Sequence, residues 1–336
     1  MGLPQIIINF RTAGSSAVRR SARGQAVLLA EGEKAELYSF SEAEQAESAG
    51  LAEDCRRLLR LCFLGGPAKV LLYRYPKGEE AAALARCAPA AEGGWLCAPQ
   101  MDAQTVTAFV KSKRAEGRPL RAVVSSETGP DCAGIVNLTT QGITVLLEGK
   151  TESVDTADYC ARIAGILAGL SLWESATYYP LPEVTGFVRS EDEEADIAAG
   201  RLILDQGSEG ARIARAVTSL TTLSQAGDSA FQKIKIAEGV DLIRADIRSV
   251  FESEYVGKVL NDYDSKLLLV TAINSYFAGL EGSVLDTGRR NTAAVDFEAQ
   301  KHWLEGRGVD TAALSDTAIL SANTGSQVFL RANLRF

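Results

Sequence analysis

The two ends of the chain carry the most regular alternation of apolar and polar positions. Near the C-terminus, one side of an extended strand would carry Val328, Leu330, Ala332, Leu334 and Phe336. Near the N-terminus, one side would carry Ile6, Ile8 and Phe10. Two apolar strands at free chain ends indicate either strands that a subunit lends to its neighbours or strands that pair within one chain. The pattern alone leaves both arrangements open.

Between residues 25 and 170 the pattern changes repeatedly from short apolar runs to helical periodicity. Strands are predicted at Ala26–Ala30, Lys69–Tyr75, Gly94–Ala98, Leu120–Ser125, Gly134–Leu138 and Ile143–Gly149. Helices are predicted at Ser41–Leu64, Glu79–Ala91, Asp102–Gly117 and Asp155–Leu170, and Ser41 with Glu44 would form a capping box for the first. This alternation predicts an α/β layer domain over residues 25–176, preceded by an N-terminal arm and linker at residues 1–24.

A second domain is predicted over residues 177–336. It begins at a boundary segment with two prolines, Tyr178–Gly186. Strands are predicted at Arg201–Gln206 and around Ala211–Leu220, and helices at Phe231–Phe251, Tyr263–Glu281 and Asp296–Arg307, before a last strand at Val328–Phe336. The predicted fold class is therefore α/β, or more fully mixed α+β: an α/β layer domain, a C-terminal α+β domain and extended strands at the termini.

Composition narrows the function classes. The 336 residues are 46% hydrophobic and 23% charged, which is typical of a soluble globular protein. The net charge of −8 comes mostly from the second half, and no basic stripe is present to bind phosphates. No segment is long and apolar enough to span a bilayer. We therefore expect neither nucleic acid nor a membrane as a partner.

Candidate chemistry is sparse. The six cysteines form no CxxC pair, so neither a zinc site nor a disulfide framework is predicted, and a reducing cytoplasm fits them best. The one histidine, His302, has no nucleophile in a recognisable setting beside it. Asp262 and Asp264 have ligand chemistry for a hard cation, but capping a helix that begins there is the simpler role. No catalytic, metal or cofactor-binding residue is predicted, although an α/β enzyme of small-molecule metabolism in the cytoplasm stays open as the alternative.

An ordered set of segments carries a family resemblance. The segments are Met1–Phe10, Tyr178–Gly186, Val217–Leu223, Lys233–Lys266, Asn291–Thr311 and Asn323–Arg335. Together they resemble the tail sheath proteins of contractile-tailed bacteriophages, in particular the short type of Gram-positive prophages and phage-tail-like bacteriocins. The likeness is patchy before Gly169 and closer from Tyr178 onward.

The resemblance implies a structural subunit and no enzyme. Sheath subunits assemble as stacked hexameric rings around an inner tube and contract to drive the tube through a cell envelope, with no cofactor or nucleotide consumed. The implied partners are further copies of the chain, the inner tail tube protein, and baseplate and terminator proteins. The implied location is the virion tail, after synthesis in the bacterial host cytoplasm. The domain over residues 177–336 would be the sheath core domain.

The resemblance also implies which residues meet neighbouring subunits. Terminal arms of sheath proteins exchange strands, so we expect Ile6, Ile8 and Phe10 to pack on a neighbour's sheet. Val328, Leu330 and Leu334 would form or receive that sheet. Related chains continue beyond the position of Phe336 with a short acidic and apolar segment. The expectation is therefore a shortened C-terminal arm and a monomer or limited oligomer.

Overall fold

The computed structural model describes residues 5–12, 24–171, 174–223, 228–288, 290–325 and 327–336, with only the backbone described for residues 5–12. Its contacts divide the chain into two compact units. The large unit is Arg19–Glu238, and the terminal unit combines Met1–Val18 with Gly239–Phe336. The predicted mixed α/β fold class is confirmed. Most of the predicted linker, residues 13–23, lies outside the described residues.

The large unit contains a seven-stranded sheet with the order β11-β7-β6-β5-β2-β4-β3. Its strands are β2 (Gln25–Glu31), β3 (Glu36–Phe40), β4 (Lys69–Tyr75), β5 (Trp95–Cys97), β6 (Ala122–Val124), β7 (Ile135–Leu138) and β11 (Arg201–Leu202). All neighbouring strands are parallel except β3, which runs antiparallel to β4 at one edge. Further strands of this unit are β8 (Ile143–Leu147), β9 (Lys150–Val154), β10 (Val184–Gly186), β12 (Leu204–Gly207) and β13 (Gly210–Ile213).

The central strand β2 shows why this sheet has a core on each face. Its residues Val27 and Leu29 belong to one buried cluster, and Leu28 and Ala30 belong to the other. A parallel strand buried on both faces needs a continuous apolar run, and β2 has one. The helices of the unit are α1 (Ala43–Ser48), α2 (Glu53–Phe63), α3 (Glu80–Ala91), α4 (Ala103–Ala115), α5 (Thr156–Gly169) and α6 (Glu193–Ala198).

The first predicted helix and its predicted cap are both wrong. Ser41–Leu64 is not one helix but two, α1 and α2, separated by a turn that contains Gly50 at a φ of +66°. A positive φ is easily adopted by glycine and cannot be accommodated inside an α-helix. The predicted capping box is absent as well, because α1 begins after Glu42, which makes no side-chain cap.

Helices α2 and α5 approach each other through glycine. A Cβ added to Gly165 in α5 would overlap the carbonyl of Cys62 in α2, and one added to Gly169 would overlap the carbonyl of Gly65. Only glycine permits backbones to approach this closely, since the neighbouring atoms belong to the main chain and cannot move aside locally. Both helices contribute residues to the buried cluster that contains Leu28 and Ala30, so the close contact joins them on one face of the sheet.

We expect Gly165→Ala to lower the free energy of unfolding by about 1–3 kcal/mol, because the added methyl group must separate α5 from α2. The matched control is Gly279→Ala, in an exposed helical position where an added Cβ meets nothing within 4 Å. That control should be neutral or stabilising by roughly 0.5–1 kcal/mol, because alanine favours the helix. Urea denaturation of both variants tests the contrast, and equal effects would contradict the close-approach explanation.

The segment Tyr178–Gly186 belongs to the large unit, although the sequence suggested a boundary there. Strand β10 pairs with β8, and β11 extends the seven-stranded sheet beside β7. The unit therefore continues to Glu238, so its bounds differ from the predicted domains at 25–176 and 177–336. The physical reason is that these strand pairs join residues far apart in the sequence, and the local pattern does not report them.

The terminal unit contains a three-stranded sheet and helices. The strands are β1 (Gln5–Thr12), β14 (Thr292–Val295) and β15 (Gln327–Leu334), in the order β1-β15-β14. The helices are α7 (Ile234–Val250), α8 (Tyr263–Leu280), α9 (Phe297–Glu305) and α10 (Asp316–Ser321), and the first five residues of α7 are counted with the large unit. The three helices predicted in this half are confirmed to within a few residues.

Candidate subunit interface

Strand β15 is the centre of the terminal sheet. Its predicted alternation is present, and Val328, Leu330, Ala332 and Leu334 are all buried. Phe329, on the opposite face of the strand, is buried as well, and its ring centroid lies 6.2 Å from that of Trp303 in α9. The strand therefore has apolar contacts on both faces, which the simple alternation did not predict.

Strand β1 lies parallel to β15 and pairs with it along its whole length. The register runs from Gln5 opposite Gln327 to Thr12 opposite Leu334. Within it, Ile6 lies opposite Val328 and Ile8 opposite Leu330. Phe10 lies opposite Ala332. The structure thus brings the two predicted groups of interface residues into register within one chain, which is one of the two arrangements that the sequence left open.

The end of β15 is held by contacts that sequence reasoning missed. Phe336 is buried, and a Cβ on Gly239 of α7 would lie 2.7 Å from its ring. The backbone N–H of Arg335 donates to Asn291 Oδ1 over 2.9 Å, and the Asp286 N–H donates to the Arg335 carbonyl over 2.9 Å. Glycine in the middle of a helix was the available signal, because it costs helix stability and therefore suggests a close approach.

The segment before β15 is fixed by a buried amine. Lys266 of α8 is only 2% exposed, and its Nζ donates to the Ala322 carbonyl over 2.7 Å and to Gln300 Oε1 over 3.3 Å. Gln300 is fully buried, and its Nε2 donates to the carbonyls of Ile319 and Leu320. Burial lowers the pKa of Lys266 to about 8, because the charged form is poorly solvated there.

Asn261 and Asp262, at the beginning of α8, make further hydrogen bonds beside those of Lys266 and Gln300. Asn261 Nδ2 lies 2.7 Å from the Gly325 carbonyl and 3.0 Å from the Gln327 carbonyl. Asp262 caps α8 by accepting from the Ser265 N–H over 2.8 Å, so the predicted capping role of this aspartate is confirmed. Helix α8 therefore ties the approach to β15 to the body of the terminal unit.

Comparison with known proteins identifies the fold that carries this arrangement. Residues 226–302 match the phage tail sheath C-terminal domain. Over 99% of its length the chain is 29% identical to the tail sheath protein of Clostridium phage phiCD119, and it covers 96% of that protein. The chain is a homologue of the phage tail sheath proteins. The resemblance predicted from the sequence is confirmed.

Solved structures show the same fold for this sheath homologue. The sheath tail protein of Desulfitobacterium hafniense matches with a TM-score of 0.68 at 14% identity, covering 84% of this chain and 92% of that one. A chain of the anti-feeding prophage baseplate, determined with six-fold symmetrisation, matches with a TM-score of 0.63 at 16% identity. The match covers 96% of the sheath homologue and 92% of the baseplate chain.

The remaining surface of the terminal unit of the sheath homologue offers apolar cavities. One, of about 230 Å³, is lined by residues of α8 and β15 that include Leu269 and Val328. Another, of about 320 Å³, lies between α7 and α8. His302 is exposed on α9. Across the described ranges, no group of three or more His, Cys, Asp or Glu residues is placed to hold a metal ion, and no helix there is suited to crossing a bilayer.

The buried amine gives a pH-dependent prediction for this sheath homologue. The pKa of Lys266 falls from 10.5 to about 8 in the folded chain, so between these values the unfolded chain binds more protons than the folded one. The contribution of Lys266 to stability should therefore rise with pH across this window, by roughly 3 kcal/mol in total, and be lost as pH falls from 10.5 to 8.

Urea denaturation of the parent chain and Lys266→Met between pH 7 and 10.5 isolates this effect, because other titrating groups are common to both proteins. The stability of the parent relative to the variant should increase with pH. A difference that stays constant over this range would contradict a buried, pKa-shifted amine at position 266.

Proposed function

We propose that this sheath homologue is a structural subunit of a contractile tail sheath and acts by assembly, not by catalysis. Its relatives carry the name tail sheath protein, and a chain of its fold forms part of a six-fold symmetrised baseplate. In this proposal copies of the chain form stacked hexameric rings around an inner tail tube. Baseplate and terminator proteins bind the ends, and the assembled sheath is located in the virion tail.

The pairing of β1 with β15 is the observation that carries the proposal. These strands come from opposite ends of the chain and are joined by eight residue pairs in one parallel register. A parallel main-chain ladder can form equally well between two copies, because each copy supplies the same two strands. Whether β1 pairs within its own chain or with another copy depends on the effective concentration of the tethered strand relative to that of neighbouring copies.

Strand exchange would also keep subunits joined during contraction. Main-chain hydrogen bonds between copies persist while rigid units rotate about their connections. No nucleotide is needed if the contracted packing is the more stable of two arrangements, since the free-energy difference then comes from subunit interfaces. Ile6, Ile8, Phe10, Val328, Leu330 and Leu334 are the proposed strand-exchange residues.

The apolar character of the cavities supports this structural role over the alternative of a small-molecule enzyme. An active site should gather titratable groups in a concave pocket. The cavity between α7 and α8 is instead lined mainly by aliphatic side chains, including Ile247, Val250, Leu269 and Ile273. Its two titratable groups, Asp246 and Tyr276, are hydrogen-bonded to each other.

Electron microscopy of the concentrated chain tests the proposal directly. In place of the monomer or limited oligomer expected for a shortened C-terminal arm, negative-stain images should show rings or tubes with six-fold symmetry, and sedimentation velocity should show mass growing with concentration. Single particles at every concentration would contradict the assembly proposal.

A further inference from the structure

The terminal sheet has two different edges. Strand β14 forms one of them and pairs with β15 in antiparallel register, with Ala293 opposite Ala332. In an antiparallel pair, successive residues direct their N–H and carbonyl groups alternately toward and away from the partner strand. The Asp296 N–H donates to the Phe329 carbonyl of β15, so Ala293, an odd number of residues away, directs its groups to the outer side.

An asparagine side chain occupies this outer side. The Ala293 N–H donates to Asn274 Oδ1 over 2.7 Å, and Asn274 Nδ2 donates to the Ala293 carbonyl over 3.2 Å. A primary amide presents one acceptor and one donor in the same plane, as the peptide groups of a neighbouring strand do. Asn274 therefore makes at Ala293 the pair of bonds that an added strand would make.

The position of Asn274 makes this contact effective. It lies on α8, which packs against β14, and the neighbouring α8 residues Ile273 and Phe277 are buried. Strand β14 has only four residues. Between Asn291 and Val295, Ala293 is the one residue whose backbone N–H and carbonyl point away from β15. Occupying its N–H and carbonyl removes the middle of the ladder that an incoming strand would need.

The opposite edge is arranged differently. There β15 offers eight positions in register, and the strand that fills them, β1, is itself the outer strand of the sheet. An exchanged strand from a second copy can take the place of β1 without breaking any contact of Asn274. The sheet is thus open to strand exchange along β15 and closed along β14.

We propose that Asn274 acts as a strand surrogate that confines strand exchange to the β1 side of the terminal sheet. The partner is a terminal strand of a second copy, so the inference rests on the proposed function and adds a direction to it. Each copy then receives an exchanged strand at one edge of its terminal sheet only, so every strand-exchange contact between copies has the same direction.

The test uses the full chain and a synthetic peptide with the sequence of Gln5–Thr12, QIIINFRT, carrying a photoreactive group at its N-terminus. After irradiation, mass spectrometry locates the adducts. Four proteins are compared: the parent chain, Asn274→Ala, Asn274→Asp, and the control Ser275→Ala at the adjacent exposed position of α8. Asn274→Asp keeps the side-chain volume but turns the donor into an acceptor that faces the Ala293 carbonyl, so it serves if the alanine variant is poorly folded. Hydrogen exchange of residues 291–296 is measured in parallel.

In the parent chain and Ser275→Ala, adducts should form on β15 or β1 and not on residues 291–296. In Asn274→Ala, exchange at Ala293 should be about tenfold faster, and adducts should also appear on residues 291–296. Adducts on residues 291–296 in the parent chain would overturn the one-sided sheet while leaving strand exchange intact. Faster exchange in both Asn274 variants without new adducts would show that the body of α8, and not its amide, closes the edge. Adducts nowhere would overturn the strand-exchange proposal itself, and the inference with it.

Discussion

An aspartate in place of Ile8 is expected to abolish sheath assembly while leaving both units of the chain folded. The register places Ile8 opposite Leu330, which is 1% exposed at the centre of the terminal sheet. An ionised carboxylate beside this position loses its hydration without gaining a partner, at a cost of several kcal/mol. The penalty applies at each β1–β15 interface between copies. Rings and tubes should therefore be absent at concentrations where the parent chain forms them.

The matched control is Asn9→Asp, which adds the same charge one residue further along β1. Asn9 lies opposite Arg331, a half-buried residue of opposite charge, so the carboxylate is expected to be tolerated there. Negative-stain microscopy and sedimentation velocity of the two variants separate position from charge. Equal loss of assembly in both would count against the register as the basis of strand exchange, and a fully unfolded Ile8→Asp chain would show that β1 is needed for the fold itself.

Glu183→Gln should give the largest loss of stability within the large unit. Glu183 and Arg162 are both buried, with Arg162 Nε 2.6 Å from Glu183 Oε1 and the Tyr159 hydroxyl donating to the same oxygen over 2.8 Å. Burial raises the pKa of Tyr159 well above its usual value, which keeps this donor protonated. Glutamine leaves the Arg162 guanidinium without its counter-charge, and we expect the free energy of unfolding to fall by about 3–5 kcal/mol.

Two control variants test whether the loss comes from burying an unpaired charge. Glu252→Gln removes one side of an exposed pair with Arg248, and should change stability by less than about 0.5 kcal/mol. The double variant Arg162→Met with Glu183→Leu removes both charges together and should recover most of the loss. Urea denaturation measures all four proteins. A small effect of Glu183→Gln alone would show that water reaches the Arg162 guanidinium in the folded chain.

The sequence predicted elements with strong local periodicity and missed the contacts that join distant segments. Helix α8 was predicted to within a residue at each end, because its apolar positions recur with helical spacing and Asp262 caps it. The boundary near Tyr178 was placed differently from the structural division because the pairs β10–β8 and β11–β7, like the Arg162–Glu183 ion pair, join distant segments and have no local signature. Strand β14, with the sequence TAAV, was missed because it is short and weakly apolar.

In the terminal sheet, too, the local pattern predicted a strand but not its partner. Alternation was sufficient to predict β15, but it did not show that β1 would be its partner in the same chain. Asn274 carried a recognisable signal, because asparagine favours side-chain bonds to backbone groups and is a poor residue for a helix interior. That signal says that a backbone partner exists and gives no indication that the partner is the edge of a sheet.

The parallel pairing of the first and last strands has a consequence for the order of events during translation. Strand β1 leaves the ribosome first, and more than three hundred residues separate it from β15 along the chain. At about 5–20 residues per second, β1 waits for tens of seconds before its own partner exists. During that interval the complementary strands within reach are those of chains already finished nearby, including products of the same messenger RNA. Under the proposed strand exchange, polysomes would therefore favour exchange between successive copies, and the local density of translation would control how much of the protein closes on itself.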